Sequence, residues 1–285
     1  MSRAAKADIS VIVVVFRNRG LDLGWLPEGV PLLIVHNDDR LDRESIRRTG
    51  VLDLHPGRNV GFGAGVNLAL KEVHTSRVLI CNPDTHLRPD HFAAMSTGLE
   101  REVIVVPIRD AEGRPTSIVS RYPTSLSMAV GGLRPGRLFP RGGLARRLLS
   151  AGLGNWGRSN ERLMLAEKGE WSLSAHWFSG AVFSIATDRI RAVNGFDERY
   201  FLYMEDVDLA ERLNRKFPDM TIRMAPTPPG VHDVGGSGMA DAERTARTAR
   251  LLSMRVYSAH KRGFDWSATT NVLRVLAYLD GWRSG

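Results

Sequence analysis

The run Ile9-Ser10-Val11-Ile12-Val13-Val14-Val15-Phe16 constrains the fold of this chain more than any other segment. It is rich in β-branched residues and shows no alternation of polar and apolar positions, so a strand formed from it must be covered on both faces. Such strands belong to parallel sheets flanked by helices. Pro31-Leu32-Leu33-Ile34-Val35-His36-Asn37 and Ser76-Arg77-Val78-Leu79-Ile80-Cys81-Asn82 read as two more. The three runs end in Arg17-Asn18, His36-Asn37-Asp38-Asp39 and Asn82-Pro83-Asp84. Ligands of open α/β sheets sit beyond the carboxyl ends of the strands, so these polar ends predict a crevice on one side.

Between the second and third strands lies Gly57-Arg58-Asn59-Val60-Gly61-Phe62-Gly63-Ala64-Gly65-Val66-Asn67, followed by the helix-like Leu68-Ala69-Leu70-Lys71-Glu72-Val73. A glycine-rich turn opening a helix can bring backbone amides close to a phosphate or a sugar. Its spacing matches a dinucleotide fingerprint only loosely, because Pro56 interrupts the short segment before it. Val103-Ile104-Val105-Val106-Pro107-Ile108 is a fourth strand candidate. From about Ser117 to Glu170 the chain turns rich in Gly, Arg, Pro and Ser, with Arg134, Arg137, Arg141, Arg146 and Arg147 close together, and reads as loops and short helices. Strand character returns over Trp177-Phe178-Ser179-Gly180-Ala181-Val182-Phe183-Ser184-Ile185. Thr187 is placed to cap a helix over Asp188 to Val193 that stops at Asn194-Gly195. An amphipathic helix is expected from Asp206 to Lys216, and another in the tail from about Ala240, with Arg244, Arg247, Arg250 and Arg255 around an alanine-rich face. That tail suits either an acidic membrane surface or packing on the sheet with its arginines in water.

A chain of 285 residues, 43% hydrophobic and 25% charged, has room for one large α/β domain, read as 1–238, with a helical extension over 239–285. The single Cys81 excludes a disulfide framework within the chain and reads as a small buried strand residue. No apolar run approaches the roughly 20 residues that span a bilayer, which points to a cytoplasmic protein, soluble or peripheral at the inner face of the membrane. A net charge of +8 implies anionic company: phosphorylated small molecules, an acidic membrane face or nucleic acid. Nucleic acid is disfavoured, since no strand interleaves basic with aromatic residues as a stacking platform would.

Three places carry candidate chemistry. Asn82-Pro83-Asp84 puts a carboxylate past a buried strand, where it suits a divalent cation on a diphosphate, although the same residues also make an ordinary turn. His232, in Pro228-Pro229-Gly230-Val231-His232-Asp233, is an imidazole on a rigid loop and a suitable second metal ligand, or an exposed loop histidine. Phe196-Asp197-Glu198-Arg199-Tyr200-Phe201-Leu202-Tyr203-Met204-Glu205-Asp206-Val207-Asp208-Leu209 crowds acids among rings. There Asp206 is either a first-turn acid facing the helix dipole or a general base whose pKa is raised by apolar walls.

Together these segments resemble the family 2 glycosyltransferases of the GT-A fold, in particular bacterial rhamnosyltransferases that use a dTDP-sugar and act on N-acetylglucosaminyl-diphospho-polyprenol. The resemblance covers roughly residues 9 to 235. It rests on Phe16-Arg17-Asn18, Asn59-Val60-Gly61-Phe62-Gly63 with Asn67, Asn82-Pro83-Asp84, Trp177-Phe178-Ser179-Gly180-Ala181, Gly195 to Phe201, Glu205-Asp206-Val207-Asp208-Leu209 and His232. It implies a mostly parallel central sheet flanked by helices, with the C-terminal helical appendage outside the match. It also implies that Asp84 and His232 hold Mg2+ or Mn2+ on the donor diphosphate, and that Asp206, with Glu205 as its rival, is the catalytic base. Donor contacts are implied for Phe16, Asn18, Asn37, Asp38, Arg58, Asn59, Gly61, Phe62, Gly63, Asn67 and Asn82. Trp177, Phe178, Ser179 and Gly180 face the acceptor in this reading, though the two rings are equally suited to the core. His36 stands where the family has an aspartate beside the nucleotide base, which leaves the nucleotide open.

The implied reaction is a single displacement with inversion, in which Asp206 takes a proton from an acceptor hydroxyl and the metal stabilises the departing nucleoside diphosphate. Its partners are the nucleotide sugar, a glycan or polyprenyl-diphosphate-linked acceptor, an anionic membrane face and a second copy of the chain. A UDP- or GDP-sugar donor, or a soluble acceptor, would leave the same catalytic residues in place. A basic nucleic-acid-binding protein and a silent scaffold are the readings from other classes.

Overall fold

In the computed structural model, which describes residues 8–18, 20–38, 46, 48–133, 162–163, 165–233, 240–261 and 263–282, the opening run forms strand β1 (Ile9–Val15) with every residue buried. Burying each Val or Ile side chain contributes about 1.5–3 kcal/mol before the entropy of ordering is subtracted, so this strand anchors the sheet. The other strands are β2 (Leu32–His36), β3 (Val51–Leu54), β4 (Arg77–Cys81), β5 (Thr85–His86), β6 (Glu102–Val105), β7 (Ile108–Arg109), β8 (Val119–Arg121), β9 (Gly169–Ser172), β10 (His176–Phe178), β11 (Val182–Ala186), β12 (Thr221–Met224) and β13 (Gly230–His232). Eight of them make one sheet in the order β3-β2-β1-β4-β11-β6-β12-β9. The ladders joining β3, β2, β1 and β4 are parallel, as is β6 with β12, whereas β11 and β9 run antiparallel to their neighbours. Parallel pairing sends the ends of β1, β2 and β4 to the same edge, which places Phe16, Asn37 and Asn82 there together.

Several local expectations are revised. Val103 to Ile108 is divided between β6 and β7, and Trp177 to Ile185 between β10 and β11, with each half in a different sheet. At the break over Ser179-Gly180-Ala181 the chain meets the Asp206 side chain of the Glu205–Lys216 helix. The helix after the glycine-rich turn begins at Phe62 and runs Phe62–Leu70, so Gly63 and Gly65 lie inside it. Their small size serves packing: a Cβ on Gly63 would stand 2.8 Å from Phe196, and one on Gly65 would stand 2.9 Å from Val14. Thr187 is the first residue of the Thr187–Ala192 helix and makes no side-chain cap. That helix does stop at Asn194 and Gly195, both left-handed. Cys81 is buried, and burial pushes its thiol up to about 12, in line with an inert strand residue.

The tail forms the helices Ala240–Ala259 and Phe264–Trp282. Leu251, Met254, Tyr257 and Leu273 share a buried cluster with Met128, Tyr200 and Val207. The helix therefore turns apolar residues onto the domain, close to the segment that carries Asp206. Polar ties reinforce the contact: the Tyr257 hydroxyl donates to Glu211 Oε1 at 2.5 Å, Lys261 pairs with the same carboxylate, and Ser253 Oγ donates to the Leu202 carbonyl. No helix among the described residues is long and apolar enough to cross a membrane. The arginines at 134, 137, 141, 146 and 147 lie outside the described residues.

Truncating Met254 to alanine should cost about 2–5 kcal/mol by opening a cavity in this cluster, read as a lower urea midpoint with an unchanged slope.

Candidate active site

The glycine-rich loop is held in shape by Asn37 and by Asn59, whose Oδ1 accepts the Gly61 amide at 3.0 Å, and the helix after it is held by Asn67. Asn37, 5% exposed, donates from Nδ2 to the Gly61 carbonyl at 3.1 Å and accepts the Val60 amide on Oδ1 at 3.2 Å. Asn67 accepts the Phe196 amide on Oδ1 and donates from Nδ2 to the Phe196 carbonyl and to Glu198 Oε1. With both amide hydrogens and its oxygen engaged, Asn67 ties the Phe62–Leu70 helix to the Phe196–Glu198 segment and leaves the set of expected donor contacts. Asn37 likewise acts through the loop it holds. Gly61 needs its φ of 88°, and a Cβ there would stand 2.4 Å from the Phe201 carbonyl oxygen, so the close approach it permits is to the chain itself. Gly63 faces the core, and Phe62 packs edge-on against Phe196 at 5.7 Å.

Other expected donor residues stay at the open edge. Phe16 is 41% exposed, with the Arg17 guanidinium over its ring at 5.1 Å. Asp38 Oδ2 accepts the amide of Arg17, a left-handed residue, at 2.8 Å, which joins the ends of β1 and β2. Asn18 and Asn59 are half-buried and Arg58 is exposed. His36 bonds Asp53 at 2.8 Å and stacks on His55 at 4.4 Å, so its ring is occupied within the sheet edge.

The metal candidates meet across a small sheet. Antiparallel pairing of β13 with β5 sets His232 opposite Thr85, and His232 Nε2 lies 3.0 Å from Asp84 Oδ1 although 148 residues separate them. Asn82 Nδ2 is 3.4 Å from the same nitrogen. Neighbouring ligands of an octahedral ion with bonds of about 2.1 Å stand about 3 Å apart, so this oxygen and nitrogen fit one Mg2+ or Mn2+ whose other positions water and phosphate oxygens would fill. No cluster of three or more His, Cys, Asp or Glu groups suited to a metal occurs among the described residues, so the pair would supply only part of an ion's ligands. Next to it His86 bridges Asp22 and Asp233 at 3.0 and 3.2 Å, and these carboxylates raise its pKa. Nothing in the sequence pattern singled out Asp22, which reaches the site only through the loop after β1.

Asp206 opens the Glu205–Lys216 helix behind Tyr203 and Met204, both left-handed, with φ of 70° and 69°. Its Oδ2 accepts the Gly180 amide at 3.0 Å and its Oδ1 accepts the Val207 amide at 2.9 Å. The next residue after Gly180 supplies a carbonyl to the Asn82 amide at 2.8 Å. A continuous set of bonds thus runs from Asp206 through Gly180 and Ala181 to Asn82, His232 and Asp84. The helix dipole and the two amides favour the charged carboxylate, but desolvation outweighs them and raises the pKa of Asp206. Glu205 is raised well above the ordinary glutamate value, by burial first and then by the Asp206 charge, and its Oε2 has no hydrogen-bond partner among the described residues. Asp208 pairs with Arg212 at 2.6 Å and Asp197 with Arg199, which makes both of them structural acids.

The expected acceptor platform changes. Phe178 is fully buried and packs on Phe183 at 4.8 Å, so it belongs to the core. Trp177 is half-buried and donates from Nε1 to the Arg121 carbonyl, and Ser179 donates its amide to the Ile118 carbonyl. Gly180 acts through its amide, on Asp206.

A glutamate whose folded pKa is raised keeps its proton where the unfolded chain has lost it, so stability falls as pH rises through that window. Glu205→Gln should therefore stabilise the protein by about 1–3 kcal/mol at pH 8, with the gain shrinking towards pH 4, as thermal melts across that range would read.

No protein-family model matches the chain. It is 29% identical over 212 residues to the N-acetylglucosaminyl-diphospho-decaprenol L-rhamnosyltransferase of Mycobacterium tuberculosis (strain ATCC 25618 / H37Rv), an alignment that takes in 65% of this chain and 61% of the relative. Among solved structures, the mannosyltransferase PcManGT from Pyrobaculum calidifontis, in complex with GDP-Man and Mn2+, aligns with a TM-score of 0.51 at 13% identity, over 98% of this chain and 72% of that one. TarS 1-349 of S. aureus in complex with UDP-GlcNAc also gives 0.51, at 14% identity, over 93% and 70%. The chain thus has the GT-A fold of glycosyltransferases and resembles, in sequence, the lipid-linked N-acetylglucosamine L-rhamnosyltransferases.

Proposed function

We propose that this protein is a metal-dependent inverting glycosyltransferase that moves L-rhamnose from dTDP-rhamnose to a hydroxyl of a polyprenyl-diphosphate-linked sugar. The observation that carries the reading is the Asp206 carboxylate, raised in pKa and fixed by the Gly180 amide in the bonded set that ends at Asp84 and His232. The similarity to an N-acetylglucosaminyl-diphospho-decaprenol L-rhamnosyltransferase supports this choice of sugar and acceptor class. Asp206 accepts the proton of the attacking acceptor hydroxyl, and its raised pKa brings it closer to the operating pH, where a base is most effective. The Gly180 amide holds the carboxylate in one rotamer, and Asn82 sets the position of His232. Asp84 and His232 would hold the metal, which supplies charge neutralisation for the leaving diphosphate. Phe16 offers an exposed ring for the nucleotide base and Asp38 fixes the loop beside it. The net charge of +8 suits a substrate pair with two diphosphates and a peripheral seat at an anionic membrane face.

A second reading keeps the reaction and changes the donor to a UDP- or GDP-sugar. It is motivated by His36, which is bonded to Asp53 and stands where the resembled family has an aspartate beside the base, so the choice of nucleotide is open at this position. Calorimetric titration with dTDP and UDP separates the two, and UDP binding far more tightly than dTDP would remove the rhamnose assignment.

Incubation with dTDP-rhamnose, Mn2+ and a short-chain lipid-linked N-acetylglucosamine should add one deoxyhexose to the acceptor by mass spectrometry. Asp206→Asn should lower kcat by about 10²–10⁴ with the donor affinity retained; full turnover by this variant would remove Asp206 from the role of base. Chelation of divalent ions should abolish transfer, and His232→Ala should raise the Mn2+ concentration needed for half-maximal rate by about 10-fold or more. A variant indistinguishable from wild type in this titration would exclude His232 as a ligand.

A further inference from the structure

The outward face of the Phe62–Leu70 helix carries a feature that the reaction just described leaves unused. A hollow of about 450 Å3 is lined by Pro56, Arg58, Val60, Leu68, Lys71 and Phe201, among others. The helix buries Gly63, Gly65, Val66, Ala69 and Leu70 against the sheet. Ala64, Leu68 and Lys71 therefore form a separate stripe at i, i+4 and i+7 that lines the hollow, about 10 Å long at 1.5 Å per residue. Side chains on a helix lean back over the preceding turn, which carries the Lys71 ammonium toward Leu68. No ion pair of Arg58 or Lys71 is found among the described residues, and the acid on the rim, Glu198, accepts from the neutral Asn67 amide, so the lining sets two cations against one carboxylate. The Phe201 ring is 41% exposed at one end, where its backbone carbonyl accepts the Phe62 amide, five residues before Asp206.

Two cations over an apolar floor of Val60, Ala64, Leu68 and Phe201 select an anion that carries a hydrocarbon chain. We propose that this hollow is a binding site for a prenyl diphosphate, with Arg58 and Lys71 on the phosphates and the first isoprene units along Leu68 and Phe201. The inference rests on the proposed function, and it places the lipid-diphosphate part of the acceptor on the outer side of this helix, beside the loop that delivers Asp206. Arg58 then serves the acceptor, where the sequence had suggested the donor.

Calorimetry with farnesyl diphosphate, inorganic pyrophosphate, farnesol and dTDP tests it without requiring turnover. Farnesyl diphosphate should bind wild-type protein at least about tenfold more tightly than pyrophosphate or farnesol. Lys71→Glu and Leu68→Glu should each weaken it by about tenfold, and Lys71→Arg should restore it. The idea is overturned if farnesyl diphosphate fails to bind, binds no better than pyrophosphate, is displaced by dTDP, or binds both glutamate variants as well as wild type. A protein that binds farnesyl diphosphate in this pattern yet transfers no rhamnose would retain the site and lose the proposed donor or reaction, so the two failures are distinguishable.

Discussion

The site depends on one backbone amide. Between β10 and β11 the chain leaves one sheet for another, and at that break the Gly180 amide donates to Asp206 while the neighbouring Ala181 carbonyl receives the Asn82 amide. A carboxylate in a poorly solvated position costs several kcal/mol unless donors meet it, so the Gly180 contact decides where Asp206 can rest. Because the same dipeptide holds the end of β4, the position of the Asp206 carboxylate is coupled to the position of the Asp84–His232 pair.

Around this link the molecule sets burial against hydrogen bonding. The helix N-terminus and two amides favour an ionised Asp206, while burial opposes it, and the balance falls toward a raised pKa; the Asp206 charge in turn raises the adjacent, buried Glu205. The left-handed Tyr203 and Met204 lead directly into that helix. Such conformations persist only where the surroundings over-determine them. Here the surroundings include the Ala240–Ala259 helix, whose Ser253 holds the Leu202 carbonyl and whose Tyr257 holds Glu211 on the Asp206 helix. The C-terminal helices therefore brace the acidic segment, and of the two roles open to the first of them, packing accounts for Leu251, Met254 and Tyr257.

Glycines and asparagines in the turn before Phe62 look alike in sequence whether they hold a ligand or a neighbouring loop. The structure separates them by what their atoms meet: Asn37, Asn59, Asn67, Gly61 and Gly63 meet the chain, Asn59 by accepting the Gly61 amide, while Arg58 remains open. The aromatic pair at 177 and 178 was ambiguous for the same reason, and burial assigns Phe178 to the core.

The sequence by itself determined the sheet and its functional edge, because a strand buried on both faces leaves an uninterrupted β-branched run and its polar ends mark one side. It also named Asp84, Asp206 and His232, which stand in short local patterns. Only the tertiary structure decided that Asp84 and His232 touch across 148 residues, that Gly180 holds Asp206, that Asp22 meets His86, and that Lys71 and Phe201 line one hollow. Those facts depend on strand pairing and loop closure between distant segments, and no local spacing encodes them.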